Sequence, residues 1–270
     1  MGFDSISKEL VKEEKVRILE SLMGKPCTFR EILNINGYAP STLSRTLTIF
    51  EEEGLVRRED EKYCLTGAGL AFLKVIDVIK AVYEFKDDIN GVPEFVEILP
   101  PGFLAGIHNL RRAEVMDIES ALKLGVERIA EAKEYGLYVD KVISYDVYKL
   151  MVEKNLQGVE ERVISNRETL YGRGSTFRKV LQDMNLTKEE YELIKRKVHV
   201  KVFDTPIQLG VIDGEFAILQ LNDRVDRFYV SEDKRFITWC EHLFTYLWDN
   251  AEDARFNKIV DEVMAEKGFS

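Results

Sequence analysis

The sequence is poor in cysteine, carries no excess of positive charge and contains no long apolar run. Only Cys27, Cys64 and Cys240 occur in 270 residues. Their scatter forms neither a disulfide framework nor a metal-ligand spacing, so small buried thiols in a reducing compartment are expected. No run is apolar enough to span a bilayer and no signal peptide is evident, so a cytoplasmic location and no membrane partner are expected. The net charge is −10. A chain this acidic does not bind nucleic acid by bulk charge, and such a role must rest on local charge. Residues 1–65 hold ten Lys/Arg and twelve Asp/Glu, a net of −2, so the acidity lies mostly in the remainder.

What is present supports a packed core, because 45% of the residues are hydrophobic. The length suits one large or two ordinary domains. Residues 4–23 alternate charged and apolar positions with helical period, and Leu10, Val11, Ile18, Leu19 and Leu22 share a face. Gly24 and Pro26 end that helix. Thr28 with Glu31 three positions on forms a capping box for a second helix, which stops at Asn36-Gly37. Residues 40–69 then read PSTLSRTLTIFEEEGLVRREDEKYCLTGAG. Pro40 suits a helix start, and Gly54 closes the helix. Two short strands flank the polar turn 58–61, and Thr66 caps a long helix over 67–86.

That order is a winged helix. Leu43, Leu47 and Phe50 fall at i, i+4 and i+7 and give the third helix a packed face. Ser41, Thr42, Ser44, Arg45 and Thr48 remain for a DNA major groove. Arg45 can pair bidentately with guanine, and the hydroxyls can reach bases or phosphates. Arg57, Arg58 and Lys62 flank the wing and can meet phosphates, whereas Glu59, Asp60 and Glu61 at its tip would be repelled. One module is a small footprint, so a homodimer with two half-sites is expected. Phe72, Ile76, Ile79 and Tyr83 lie at spacings of four, three and four, a seam for dimerisation. A winged helix also serves as a protein-interaction adaptor, and that alternative stays open.

Residues 87–93 form a turn-rich break, where the domain boundary is expected. Beyond it, helices are expected over 118–135, 145–154, 175–184 and 187–196. Strands are expected over 139–144, 198–203, 208–212, 216–221 and 227–230. Asp213-Gly214 marks a hairpin between two of these strands. Residues 232–267 are helical, with a break near 249–250. The fold class is therefore α+β: a winged helix at 1–65, a linker or dimerisation helix at 66–90, an α/β regulatory domain at 91–250 and a helical tail at 251–270.

The stretch STLSRTL…EEEGLVRR…YCLTGAG resembles the ArsR-like winged helices of archaeal transcription regulators. The stretches DINGVPEF, VKVFDTPIQLGVIDGEFAILQL and ITWCEHLFTYLWDNAE resemble the middle domain of the archaeal methanogenesis regulatory protein family. The resemblance implies a dimeric, cytoplasmic, DNA-binding regulator with a C-terminal sensing or assembly domain, associated with methanogenesis genes. It leaves room for a small-molecule effector and names no cofactor.

The C-terminal part also looks like a remote relative of the phospholipase D half-domain, whose motif is H-x-K-x-x-x-x-D. With Asp213-Gly214 in the aspartate position, Pro206 stands at the histidine and Gln208 at the lysine. Proline cannot attack phosphorus, so no catalytic residue is assigned, no enzyme is expected, and Asp213 reads as a turn residue; a phosphodiesterase or nuclease on this scaffold is kept as the alternative. His199-Val200-Lys201 mimics the motif but lacks the aspartate. Cys240 and His242 at i, i+2 diverge on a helix, which disfavours a joint metal site. Trp239, Phe244 and Trp248 read as a packing face, and His108 with Arg111 and Arg112 as a solvated basic helix end. Tyr145, Arg167 and Tyr171 lie near loops that follow strands.

Overall fold

The computed structural model describes residues 12–222 and 226–269. Leu10 and Val11 lie outside them. The chain divides into two compact units, the first ending at Glu84 and the second beginning at Phe85.

The first unit contains α1 (Glu13–Glu20), β1 (Cys27–Thr28), α2 (Phe29–Asn36), α3 (Pro40–Glu52), β2 (Val56–Glu59), β3 (Lys62–Leu65) and α4 (Gly67–Glu84). Its antiparallel sheet has the order β1-β3-β2. Helix α2 starts on the expected capping box. The Thr28 Oγ1 accepts the Glu31 N–H at 3.3 Å, and the Glu31 carboxylate accepts the Thr28 N–H at 2.7 Å. Helix α3 gives way to Gly54, whose φ of 68° is the left-handed value a residue with a Cβ resists. Leu43, Leu47 and Phe50 are buried with Ile18, Leu19, Leu73 and Ile76 in one core.

Two of those residues belong to α4, so this helix is an integral part of the winged helix and not a separate linker. Lys80 of α4 also pairs with Glu20 of α1 at 2.8 Å. The domain boundary expected in the 87–93 break lies just before it, between Glu84 and Phe85, and the winged-helix end expected at residue 65 falls inside the first unit. The reason is the close approach of α4 to the chain that follows α3. A Cβ on Gly69 would stand 2.2 Å from the Leu55 carbonyl oxygen.

The second unit opens with three short helices, α5 (Lys86–Asn90), α6 (Pro93–Ile98) and α7 (Pro101–Leu104), and a 3-10 turn at Ile107–Arg112. There follow β4 (Glu114–Met116), α8 (Ile118–Glu131), β5 (Tyr135–Val139), α9 (Tyr145–Leu156), β6 (Glu160–Ser165) and α10 (Arg167–Asp183). The chain continues through α11 (Lys188–Lys197), β7 (Val198–Val202), β8 (Gln208–Ile212), β9 (Phe216–Gln220) and β10 (Phe228–Ser231). It ends with α12 (Lys234–Asn250), β11 (Glu252–Asp253) and α13 (Asn257–Glu266). The strands form one mixed sheet in the order β11-β7-β6-β5-β8-β9-β10-β4. Strands β5, β6 and β7 run parallel, and β5 pairs antiparallel with β8. Helices α8 to α11 and α13 bury one face, with Val152, Val180, Leu181 and Tyr191 in the core. Helix α12 packs against β5, β8 and β9 on the other face. There Trp239 stacks on Phe103 at 4.8 Å and donates to its carbonyl at 3.1 Å.

The second unit departs from expectation in three places. The break expected at 87–93 contains α5, because Asp88 is buried and held by the Tyr229 hydroxyl and by Arg227, each at 2.9 Å. The strand expected at 139–144 lies at Tyr135–Val139, and residues 140–144 form the loop that follows it. The tail expected at 251–270 is part of the second unit. Strand β11 pairs with β7, and Val260, Val263 and Met264 enter the main core. Arg178 of α10 reaches Glu262 and Glu266 of α13, and Lys195 reaches Asp261 at 2.7 Å.

Asp213 and Gly214 both have positive φ, 52° and 59°, as a two-residue hairpin with a type I′ turn demands. The Asp213 carboxylate also accepts the N–H groups of Lys133, Glu134 and Tyr135 at 2.7, 2.8 and 2.8 Å. Burial pushes this carboxyl up, but the backbone donors outweigh it and hold the group below the usual aspartate value. Asp213→Ala orphans three N–H groups and places a Cβ without a local acceptor in the left-handed region. It should lower the unfolding free energy by about 2–3 kcal/mol in urea denaturation, with a smaller loss for Asp213→Asn. Equal stability of Asp213→Ala and wild type would remove the clamp.

Candidate nucleic-acid interface

Ser41, Thr42, Ser44, Arg45 and Thr48 are all exposed along one side of α3, opposite buried Leu43, Leu47 and Phe50. This division follows from the 3.6-residue period, which sends positions 43, 47 and 50 inward. The first half of α3 carries no acidic side chain, and Glu51 and Glu52 stand at its far end. The N-cap residue is Ala39, with Pro40 in the first turn and no side-chain cap among the described residues. The first N–H groups of α3 are therefore open to an external acceptor. An uncapped helix start combines free donors with the positive end of the helix dipole and suits a phosphate oxygen. Helix α2, by contrast, has its start closed by Thr28 and Glu31.

Arg45 makes no ion pair among the described residues. Arg57, Arg58 and Lys62 are exposed on the β2–β3 hairpin. Arg57 pairs with Glu59 at 3.0 Å, and Arg58 donates to the Asp60 carbonyl at 3.1 Å while lying over the Tyr63 ring. Asp60 turns the wing with a φ of 53°. Such exposed pairs are worth about 0–1 kcal/mol, so a phosphate can replace Glu59 as the partner of Arg57. Arg30, exposed on α2, adds a cation that its position on the preceding helix could have suggested.

The dimerisation seam expected at Phe72, Ile76, Ile79 and Tyr83 does not hold together. Ile76 is 4% exposed and faces the core of its own unit, and Phe72 packs against that core. Ile79 and Tyr83 are 50% and 72% exposed, and Val75 and Val82 join them on the outer face. All four positions share one stripe at 3.6 residues per turn, so the stripe is divided along the helix: Phe72 and Ile76 pack on the core, and Ile79 and Tyr83, nearer the C-terminal end of α4, do not.

Thr66 joins the wing to α3. Its hydroxyl donates to the carbonyls of Gly54 at 2.6 Å and Leu55 at 3.1 Å, and it accepts the Gly69 N–H at 3.0 Å. One side chain thus connects the chain that follows α3, the end of β3 and the start of α4.

Several other residues named above have structural partners or are buried. Lys201 donates to the Trp248 carbonyl at 2.8 Å and lies over its ring. Cys240 is fully buried, which pushes its thiol well above the usual value. His108 contacts the Ala105 carbonyl at 2.9 Å, and Arg112 pairs with Asp233 at 3.3 Å. Tyr145 donates to Asp183 at 3.0 Å, and Arg167 reaches Glu252 at 2.9 Å. Tyr171 is exposed. Among the described residues, no group of three His, Cys, Asp or Glu side chains could hold a metal ion. No described helix is long and apolar enough to cross a membrane.

Residues 4–87 match the family model described as the HVO_A0261 N-terminal domain. The match spans under a third of the chain. No curated protein matches the sequence. Among solved structures, TrmBL2, an archaeal chromatin protein with a novel mode of DNA binding, is similar at 14% identity with a TM-score of 0.41. That similarity covers 93% of this chain and 100% of TrmBL2. Nuc, a phospholipase D family member from Salmonella typhimurium, shows 10% identity and a TM-score of 0.36 over 52% of this chain and 96% of Nuc. An O-methyltransferase family protein from Burkholderia thailandensis shows 11% identity and a TM-score of 0.27, covering 74% of this chain and 63% of that one. These likenesses are distant, and the functional reading rests on the geometry of the chain.

Thr66→Val keeps the shape of the side chain and removes its hydrogen bonds. The first unit should lose about 1–2 kcal/mol of stability, and the Gly69 amide should exchange its hydrogen faster. Unchanged exchange at Gly69 would show that Thr66 does not tie the wing to α3.

Proposed function

We propose that this chain is an archaeal DNA-binding transcription regulator that acts as a homodimer. The observation that carries the reading is the exposed side of α3. It offers three hydroxyl groups of the first turns, Arg45 and an uncapped helix start, with no acid among them. Arg45 is assigned to a base edge in the major groove, and the hydroxyls and N–H groups to phosphates and bases. Arg57, Arg58 and Lys62 contact the backbone beside the groove, and the acidic tip of the wing turns away from it.

The dimer contact is the outer face of α4, where Val75, Ile79, Val82 and Tyr83 are exposed at helical spacing. Tyr83 and Ile79 keep the role expected from the sequence, and Val75 and Val82 replace Ile76 and Phe72. The second unit acts as a non-catalytic regulatory domain. Pro206 supplies no nucleophile, and Asp213 is fully engaged by backbone donors. An effector bound there would shift the balance between two arrangements of the recognition helices, and so the affinity for a two-fold site. Methanogenesis or related metabolic genes are the targets that the sequence resemblance implies.

The test is binding to the upstream DNA of the protein's own gene across a salt series. Arg45→Ala should weaken specific binding by about 1–3 kcal/mol for each half-site. Six phosphate contacts from two modules give a log–log salt slope of about −5, and Arg57→Ala/Arg58→Ala should reduce it to roughly −2. Val75→Glu/Ile79→Glu should yield monomers in light scattering and lose most of the affinity. Salt-independent binding, or affinity indifferent to Arg45, would favour a protein-interaction adaptor instead.

A further inference from the structure

We propose that the second unit contains a binding site for a small, largely apolar molecule with an uncharged polar head. The site is a cavity of about 320 Å³ between α8, the loop after β5, and strands β5, β8, β9 and β10. That volume falls in the range of small-molecule sites. Ile129, Met151, Ile218 and Phe228 supply apolar walls. For comparison, an apolar cavity of about 150 Å³ accommodates benzene, so this one has room for about ten to twelve carbon atoms.

Gly125 is the observation that separates a site from a packing defect. It lies inside α8, where glycine costs helix stability of about 1 kcal/mol relative to alanine. Among the described residues no close approach requires it. A Cβ built on Gly125 meets no atom within 4 Å, and the residue lines the cavity. Gly210 on β8 differs, because a Cβ there would come within 2.9 Å of Ile218. The chain thus keeps open a volume that a larger residue at position 125 would fill.

The polar groups of the cavity gather at one end. Asp140 and Gln208 lie opposite one another, one step beyond the Val139–Leu209 pair, and Ser144 follows in the loop. This is the carboxyl end of β5, where the neighbours change from parallel β6 to antiparallel β8. Open α/β sheets place ligands at such switch points. Asp140 is already matched by Arg173 at 3.1 Å and the Val142 N–H at 2.6 Å. Among the described residues no cation lines the cavity, so an anionic head would face Asp140 without a counter-charge. Gln208 donates to Gln220 at 2.7 Å, and Ser144 accepts the Val147 N–H at 3.5 Å. The Gln208 carbonyl and the Ser144 hydroxyl hydrogen remain for a ligand. An alcohol or primary amide on an aliphatic body satisfies both.

Only the regulatory consequence rests on the proposed function; the binding itself does not. The probe is 1-decanol, titrated into the full chain by calorimetry and thermal melting, with decanoate as the charged control. One saturable decanol site per chain is expected, with a raised Tm and at least tenfold weaker decanoate binding. Gly125→Leu should raise the Tm of the free protein and abolish decanol binding, and Gln208→Leu should weaken it about tenfold. Wild-type decanol binding in Gly125→Leu, or decanoate binding as tightly as decanol, would overturn the site. Should Gly125→Leu fail to fold, unchanged affinity in Gln208→Leu would overturn it. DNA affinity is read separately with and without decanol, and its absence would count against the proposed function alone.

Discussion

Strand β5 is fixed by a carboxylate at each end, and the second unit is organised around it. Before the strand, Asp213 gathers the N–H groups of residues 133, 134 and 135. After it, Asp140 meets the buried Arg173 guanidinium, which also donates to the Asp140 carbonyl and to the Ser165 hydroxyl at the end of β6. Arg173 lies over the Tyr148 ring, so one side chain ties β5, β6, α9 and α10 together. A buried ion pair is weak as a net source of stability, and breaking one partner away is costly. The pair therefore acts mainly to specify arrangement. Glu161 on β6 completes the buried charges. Its burial raises the carboxyl to about 7, against the pull of Arg173 in the other direction.

Much of the first unit is legible in the sequence because its signals are local. Thr28 and Glu31 cap each other three residues apart, Gly54 ends α3, and residues 43, 47 and 50 share a face by periodicity alone. The second unit depends on partners distant in sequence. Strand β6 escapes the pattern because Glu160, Glu161 and Arg162 break its apolar run, and only the fold supplies the buried setting of Glu161. Helix α5 reads as a turn because Asp88 looks solvent-seeking, although Tyr229 and Arg227 hold it in the interior. The residues of α13 look like a polar tail until Arg178 and Lys195 are brought beside its acids. On the candidate interface, the exposed hydroxyls and Arg45 follow from periodicity. The exposure of Ile79 and Tyr83 does not, because one helical stripe passes from core to solvent along α4 and only the fold shows where.

The interface on α3 is sparing with charge. The wing offers two arginines and a lysine against three acids, and one arginine stands on the helix. On the proposed function, neighbouring acids lower the potential that draws DNA from a distance, and short-range contacts carry more of the recognition. The uncapped start of α3 suits this, since backbone donors are fixed in direction and carry no mobile side chain. A weak single module also fits a regulator whose affinity depends on two modules acting together, because a small change in their spacing then has a large effect on binding.

The two ends of strand β8 carry different chemistry. At the hairpin, the Asp213 carboxylate holds the preceding loop and the turn in place. At the start of the strand, Gln208 offers a neutral amide beside Asp140, whose charge is met by Arg173. Among the described residues, that end of the sheet faces an apolar cavity that no cation lines. A phosphate there would lose its hydration without gaining a counter-charge, whereas an uncharged polar head loses far less, and the glycine in α8 provides the space it needs.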